Sequence, residues 1–343
     1  MDLHEPGPNR PATNASSGDI TNLHTPRDIP LVTAEDIQRA IENDYGLAVT
    51  GAPSAVDGYW DFNFDALTSA GAVFCKVYTH DSHLDAQFHA DVMNTLAEEG
   101  LPTAEVFRNR NGQTVSSIAG MPFIVQRRLP GVPLSELPTT SARIFDLGKT
   151  LGQIHNAADG RRFQGNHTKI TSWDPRQRDL LFSRYEGAVE RFSPHARKHL
   201  DALQRKTNLL REELDDLPQG VIHGDYHPGN VLGFEKGISG VVDFSEAMRS
   251  WTVADVGICL SYLMGEPHSR FITAAHFLTG YCEEAPLSRP ELALLPTVIQ
   301  LRAATRAIET KLDGGVAQNA EIELIEYFNR NSVEDKWIAA FCS

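Results

Sequence analysis

Apolar positions follow a strand-like pattern over much of residues 51–128 and a helical one over most of residues 132–343. Residues 1 to about 28 show neither: they are rich in Pro, Asn, Ser and Gly and cannot bury enough surface to offset ordering entropy, so a disordered leader is expected. The first helix signal is Thr33-Ala-Glu-Asp36, a hydroxyl N-cap with acid in the first turn; Ile37, Ala40 and Ile41 form its stripe, and Gly46 closes it. A turn at Asp57-Gly58 enters a strand ending at Phe64, and Ser69-Ala-Gly71 returns it as Ala72–Tyr78. Leu84, Phe88, Val92 and Leu96 lie four apart on one face of a helix over 84–99, stopped by Gly100 and Pro102. Two β-runs, 104–108 and 121–128, flank a turn at Asn111-Gly112, and Pro130-Gly131 interrupts. Beyond it helices are expected at 139–157, 173–192, 195–215, 252–264, 268–283, 288–311 and 319–330, with a β-containing exception at 219–244.

A strand-rich part, a Pro-Gly joint and a helix-rich part make a bilobal α+β layout. The expected divisions are a leader at 1–28, an N-terminal lobe at 29–126, a hinge at 127–131 and a C-terminal lobe at 132–343. Length agrees, since 343 residues exceed the roughly 250–300 at which one core stops growing. Charge narrows the partners: 31 basic against 45 acidic residues give −14, which argues against nucleic acid and anionic membrane surfaces. Cys75, Cys259, Cys282 and Cys342 are dispersed, without metal-ligand or disulfide spacing, and Cys75 and Cys259 sit in apolar runs as core residues. Without a signal segment or an 18-residue apolar run, a cytoplasmic protein is the default.

The chemistry concentrates in Val221-Ile-His-Gly-Asp-Tyr-His-Pro-Gly-Asn-Val-Leu-Gly-Phe, followed by Val241-Val-Asp-Phe. Short apolar runs flank a polar loop, so Asp225 and Asn230 hang between strands and converge if Pro228-Gly229 bends the loop back. Phosphoryl transfer needs a base beside the acceptor hydroxyl and oxygen ligands for the Mg²⁺ that bridges the nucleotide phosphates. Asp225, Asn230 and Asp243 supply both. A plain surface turn also uses Asp, Pro, Gly and Asn, but a carboxylate ending the apolar run Val241-Val242 favours the chemical reading.

His-Gly-Asp-x-His-x-x-Asn with the downstream Asp-Phe resembles the aminoglycoside phosphotransferase and choline kinase superfamily, which has a protein-kinase-like fold. Asp57-Gly-Tyr-Trp-Asp-Phe-Asn-Phe, Phe74-Cys-Lys-Val, Gly100-Leu-Pro-Thr-Ala and Arg127-Arg-Leu-Pro-Gly131 look most like the hydroxylysine kinase type, with homoserine kinases the next resemblance. The likeness spans roughly 33–311 and implies a small β-rich N-terminal lobe and a larger helical one. It makes Asp225 the catalytic base, Asn230 and Asp243 the Mg²⁺ ligands, His223 a brace for the loop and Asp255 a carboxylate supporting it. Asp255 also suits a plain helix start. Lys76, on a strand after a hairpin and before a helix, matches the lysine that holds nucleotide phosphates. The residues expected around the nucleotide are the backbone of Tyr59 to Asn63 and the hinge at Gln126, Arg127 and Leu129.

Two departures stand out. The helix after Lys76 lacks the customary Glu and offers Gln87, His89, Asp91 and Asp85, and the loop over the phosphates has no GxGxxG. On the acceptor side, Arg302 and Arg306 lie four apart and suit a substrate carboxylate, or else form a solvated charged face. Trp173, Asp174, Glu246 and Trp251 are candidates to line the pocket, with His227 a loop residue within reach of substrate. The expectation is a kinase using Mg²⁺ and ATP or GTP on a small-molecule hydroxyl, a hydroxy amino acid or amino alcohol. The alternatives are an aminoglycoside phosphotransferase and a nucleotide-binding pseudokinase with a protein partner.

Overall fold

The computed structural model describes residues 30–56, 60–163, 170–265, 269–315 and 319–341. The chain divides at Leu31/Val32 into two units, and the second, Val32–Ser343, contains every helix and strand assigned. The leader expected at 1–28 lies outside the described residues.

The first lobe is built on a five-stranded antiparallel sheet, in the order β1-β2-β3-β5-β4, from β1 (Ser54–Val56), β2 (Phe62–Thr68), β3 (Gly71–Val77), β4 (Ser116–Ile118) and β5 (Met121–Arg127). Strand periodicity sends Val73, Cys75 and Val77 of β3 to one face, where they meet Ile37 and Ile41 of α1 (Ala34–Ala40) and the π-turn that extends it. Lys76 points to the other face, opposite Asn63 of β2 and Ile124 of β5. That face is covered by α2 (His83–Glu98) through Phe88, Val92 and Leu96. The N-cap expected at Thr33 is formed, as a capping box with Asp36, and Gly46 ends the element at φ 70°.

After Pro130-Gly131 the chain enters the helical lobe through β6 (Val132–Pro133). There follow α3 (Ser141–Ala158), α4 (Arg178–Glu186), α5 (Pro194–Leu209), α6 (Arg211–Asp215), β7 (Gln219–Ile222), β8 (Val231–Gly233), β9 (Ile238–Val241), β10 (Met248–Trp251), α7 (Thr252–Leu263), α8 (Arg270–Glu284), α9 (Arg289–Leu312), α10 (Asn319–Arg330) and α11 (Glu334–Phe341). β6, β8 and β9 make one small sheet, β7 and β10 another. Helices α3 and α8 approach closely because glycines face backbone: a Cβ at Gly148 would lie 2.0 Å from the carbonyl oxygen of Phe277, and one at Gly280 2.1 Å from that of Phe145. No helix among the described residues is long and apolar enough to cross a membrane.

Several expectations shift. Residues 104–108 make only an isolated bridge, Val106 to Gln126, because the Asn94 side chain occupies the backbone N–H and C=O of Val106 at 2.7 and 3.2 Å. Leu84 is 57% exposed rather than on the buried face, since Ser82 caps α2 and leaves it in the first turn. The helix expected over 173–192 is broken: Asp174 caps a 3-10 turn at Pro175–Gln177 before α4, and a second follows at Val189–Arg191. Helix α11 was not expected from the pattern; buried Trp337, edge-on to Phe328, anchors it.

Candidate active site

The loop between β7 and β8 carries His223, Asp225, His227 and Asn230. It is fixed from below by Asp255, which sits in the first turn of α7 with no exposed surface. Its carboxylate accepts the backbone N–H of His223 at 2.7 Å and of Gly224 at 2.9 Å, and lies 3.1 Å from His155 Nε2. His155 in turn meets the Tyr281 hydroxyl at 2.8 Å. Gly224 is required: at φ 80° a Cβ would lie 2.0 Å from the carbonyl oxygen of Glu246.

His223 ties this loop to the segment after β9. Its Nδ1 accepts the Asp225 N–H at 3.2 Å, which leaves the proton on Nε2 to donate to the Val242 carbonyl at 3.0 Å. Burial holds its pKa below the usual histidine value, so it is a neutral brace. The Val242 N–H returns to the Asn230 carbonyl at 2.9 Å. These two bonds bring Asp225, Asn230 and Asp243 into one neighbourhood.

Asn230 donates through Nδ2 to the Asp225 carbonyl and to Asp225 Oδ2, both at 3.0 Å. His227 Nε2 lies 3.4 Å from the same Oδ2, and Arg302 binds Oδ1. Burial alone would raise the Asp225 pKa, but the Arg302 charge and His227 outweigh it and hold the carboxyl at about 2. Asp243 has the left-handed backbone rare outside glycine, φ 64° and ψ 65°. Its Oδ1 accepts from Lys76 Nζ at 2.7 Å and Ser245 Oγ at 2.8 Å. Burial works against the charge here too, yet Lys76 and these bonds keep its pKa well below the ordinary carboxylate range.

Lys76 is the meeting point of the two lobes. Besides Asp243 and the Ser245 hydroxyl it faces Asp61 Oδ2 at 3.3 Å. Burial disfavours its charge, but the two carboxylates more than compensate and its pKa is raised. Its carboxylate partner from the first lobe therefore comes from the entry to β2. Two of the candidates on α2 are engaged elsewhere: Asp85 completes the Ser82 cap and Gln87 donates to Thr114 Oγ1 at 2.8 Å. His89 lies against the Tyr78 ring, 5.7 Å between centroids.

Of the residues expected around the nucleotide, Tyr59 lies outside the described residues. Asn63 is buried opposite Lys76, and its Oδ1 has no hydrogen bond among the described residues. Gln126 is buried, Arg127 pairs with Glu105 at 3.0 Å, and Leu129 packs where a Cβ on Gly240 would otherwise sit. On the acceptor side, Arg302 lies over the Trp173 ring at 4.5 Å. Arg306 lies over Tyr262 at 4.1 Å and pairs with Glu321 at 2.7 Å, and His227 stacks on the same Tyr262 at 4.1 Å. Glu246 lends its negative charge to Arg302. Two expectations are corrected. Trp251 is 1% exposed and belongs to the core, and Asp174 is buried in bonds to Arg176 and Ser250, so neither lines a pocket.

Asp61, Ser245, His155 and Tyr262 escaped sequence reasoning. Asp61 lies inside the quoted Asp57–Phe64 segment and Ser245 two residues after Asp243, so position alone marked them. His155 and Tyr262 sit mid-helix without any local signal.

As for a metal, the donors present are hard oxygens. Asn230 commits its amide nitrogen to Asp225, and among the described residues neither its Oδ1 nor Asp243 Oδ2 accepts a hydrogen bond. That set fits Mg²⁺.

Residues 54–292 match the phosphotransferase enzyme family. A homoserine kinase of Xanthobacter autotrophicus is 30% identical over 269 residues, covering 77% of this chain and 80% of that protein. The homoserine kinase of Nitrobacter winogradskyi is 32% identical over 262 residues, 75% of this chain and 77% of that one. These relatives carry the second of the two resemblances, to homoserine kinases. Among solved structures, a microcompartment-associated aminopropanol kinase superposes with a TM-score of 0.63 at 16% identity, over 90% of this chain and 98% of that one. An amicoumacin kinase does so with 0.62 at 17%, over 83% and 88%; at such identities the likeness is one of fold. The chain therefore belongs to the phosphotransferase enzyme family, as a kinase that phosphorylates an alcohol group of a small molecule.

Proposed function

We propose that the acceptor is homoserine or a near relative among the hydroxy amino acids, with ATP as donor and Mg²⁺ as cofactor. The observation that carries this is the pairing of Asp225 with Arg302. A carboxylate placed to take a hydroxyl proton stands beside a buried guanidinium, so one small molecule bearing both a hydroxyl and a carboxylate meets a partner for each. The names of the relatives point the same way. A polycationic aminoglycoside would instead meet two arginines, Arg302 and Arg306.

In this reading Asp225 orients the acceptor hydroxyl and takes its proton, on a loop that Asp255 and His223 hold rigid. Lys76, aligned by Asp61, holds the donor phosphates. Asn230 and Asp243 hold Mg²⁺, which neutralises charge on the phosphates when bound. Residues 127–131 serve as the hinge, with Asn63, Gln126, Arg127 and Leu129 around the nucleotide. His227, Glu246, Trp173 and Arg306 bound the acceptor.

The test is a product assay with purified protein, Mg²⁺ and ATP or GTP against homoserine, hydroxylysine, 3-aminopropan-1-ol and an aminoglycoside. Mass spectrometry and ³¹P NMR identify what is phosphorylated. O-phosphohomoserine should dominate. Preferential phosphorylation of the aminoglycoside, or nucleotide turnover indifferent to every acceptor, would overturn the reading.

A further inference from the structure

Arg302 is only half satisfied. Its guanidinium lies over the Trp173 ring at 4.5 Å and the residue is 5% exposed. One nitrogen binds Asp225 Oδ1 and Tyr262 is close by, while neither Nε nor Nη1 makes a hydrogen bond of normal geometry among the described residues. The planar fork is thus used by a single tooth, although its geometry favours two parallel bonds to one carboxylate. Asp225 does not offer a second oxygen, because Oδ2 is engaged by Asn230 at 3.0 Å and faces His227 at 3.4 Å.

Oδ1 is therefore the oxygen of Asp225 left for an acceptor hydroxyl, and Arg302 sits on it. We propose that Arg302 is a latch on the base, released by the carboxylate of the acceptor. Without an acceptor the guanidinium takes up one of the two lone pairs of the oxygen that the reacting hydroxyl needs. A bound hydroxy acid offers two oxygens to one edge of the guanidinium, and either edge includes Nη2, the nitrogen that Asp225 holds, so the guanidinium turns to the substrate and Oδ1 becomes fully available. The exchange is favourable because a one-tooth contact gives way to a two-tooth one. Arg302 is a positioning residue in this scheme, and the carboxylate is a condition for turnover as well as a handle for binding. Amino alcohols that lack it should bind and still react slowly. Water without an acceptor should be a poor nucleophile for the same reason, which protects the nucleotide from idle hydrolysis.

This deepens the hydroxy amino acid reading and rests on it. The experiment compares homoserine with its decarboxylated counterpart, 3-aminopropan-1-ol, in wild type, Arg302→Ala and Arg302→Lys, with kcat and KM resolved separately. In wild type the amino alcohol should have a kcat at least about tenfold below that of homoserine, the range of one charge-assisted hydrogen bond. Arg302→Ala should raise kcat for the amino alcohol and acceptor-free nucleotide hydrolysis by about tenfold, while raising KM for homoserine. Arg302→Lys keeps a cation against Asp225 without the fork, so the amino alcohol should stay slow and homoserine should lose kcat. Equal kcat for the two acceptors in wild type overturns the latch, as does an alanine variant in which only KM for homoserine changes. Should the alanine variant not fold, a lysine variant with unaltered kcat on homoserine overturns it alone. If homoserine is not phosphorylated at all, the proposed acceptor fails by itself. The latch is then decided by acceptor-free hydrolysis, where no gain on removing Arg302 refutes it.

Discussion

Replacing Asp61 by Asn tests how the phosphate-holding lysine is oriented. Asp61 Oδ2 lies 3.3 Å from Lys76 Nζ, with side chains 11% and 10% exposed. At an effective dielectric of about 20 a charge pair at that distance is worth roughly 5 kcal/mol before desolvation is counted. The net loss is smaller, because Lys76 keeps Asp243 at 2.7 Å and the Ser245 hydroxyl. A hydrogen bond to a charged group is typically worth about 1.5–3 kcal/mol, so kcat/KM for the nucleotide should fall about ten- to a hundredfold. Asn preserves an acceptor for the Thr79 N–H, which Asp61 Oδ1 takes at 3.0 Å, so the entry to β2 should hold its shape. The assay is initial-rate ADP release with nucleotide varied at saturating acceptor, alongside a thermal melt to exclude unfolding. Wild-type kcat/KM in the Asp61 variant, together with a tenfold loss in Gln87→Ala or Asp91→Ala, would show that α2 aligns the lysine and refute the reasoning.

Asp225→Asn should lower kcat by about 10²–10⁴, the range for removing a positioned base, and near-normal turnover would refute its role. It should also flatten the acid limb of stability. Asp225 has its pKa depressed from 3.8 to about 2, so its contribution is present above pH 4 and is lost as pH falls through 2. Urea unfolding between pH 5 and 2 should show wild type losing about 2 kcal/mol more than the variant. Gly148→Ala should destabilise although the same change in a helix ordinarily gains about 1 kcal/mol. The new Cβ would lie 2.0 Å from the Phe277 carbonyl oxygen and force α3 off α8, for a net loss of about 1–2 kcal/mol. A raised urea midpoint would contradict that packing.

What the sequence disclosed depended on how local the determinant was. The Asp225–Asn230 loop was legible because its chemistry is written over six consecutive residues between two apolar runs. The cap at Thr33 was equally local, satisfied by an acid three residues on. The partner of Lys76 was not, because a carboxylate at the entry to β2 becomes its neighbour only when β2 pairs with β3. Distance in sequence hid Arg302 in the same way: it meets Asp225 across 77 positions, and its spacing with Arg306 suggested one gripping pair. The structure separates them, Arg302 to Trp173 and Asp225, Arg306 to Tyr262 and Glu321. The breaks at 187–192 and at Leu210 were obscured for a different reason, since helical apolar spacing continues on both sides.

The backbone at Asp243 explains why a carboxylate rather than glycine stands there. A left-handed conformation costs an ordinary L-residue roughly 1–2 kcal/mol, and glycine would avoid that cost. Glycine would also remove the acceptor of two bonds, from Lys76 at 2.7 Å and Ser245 at 2.8 Å, and with it a link between β3 and the strand β9. Asp is among the few residues that tolerate this region while carrying charge. The position therefore combines two demands, a turn tight enough to aim the side chain back at Lys76 and an oxygen donor at its tip. Because the same carboxylate is the proposed metal ligand, the lysine's hold on it must be shared once nucleotide enters. Asp61 then becomes the carboxylate from the first lobe that keeps Lys76 in place, which is why its removal should be felt in turnover more than in the stability of the fold.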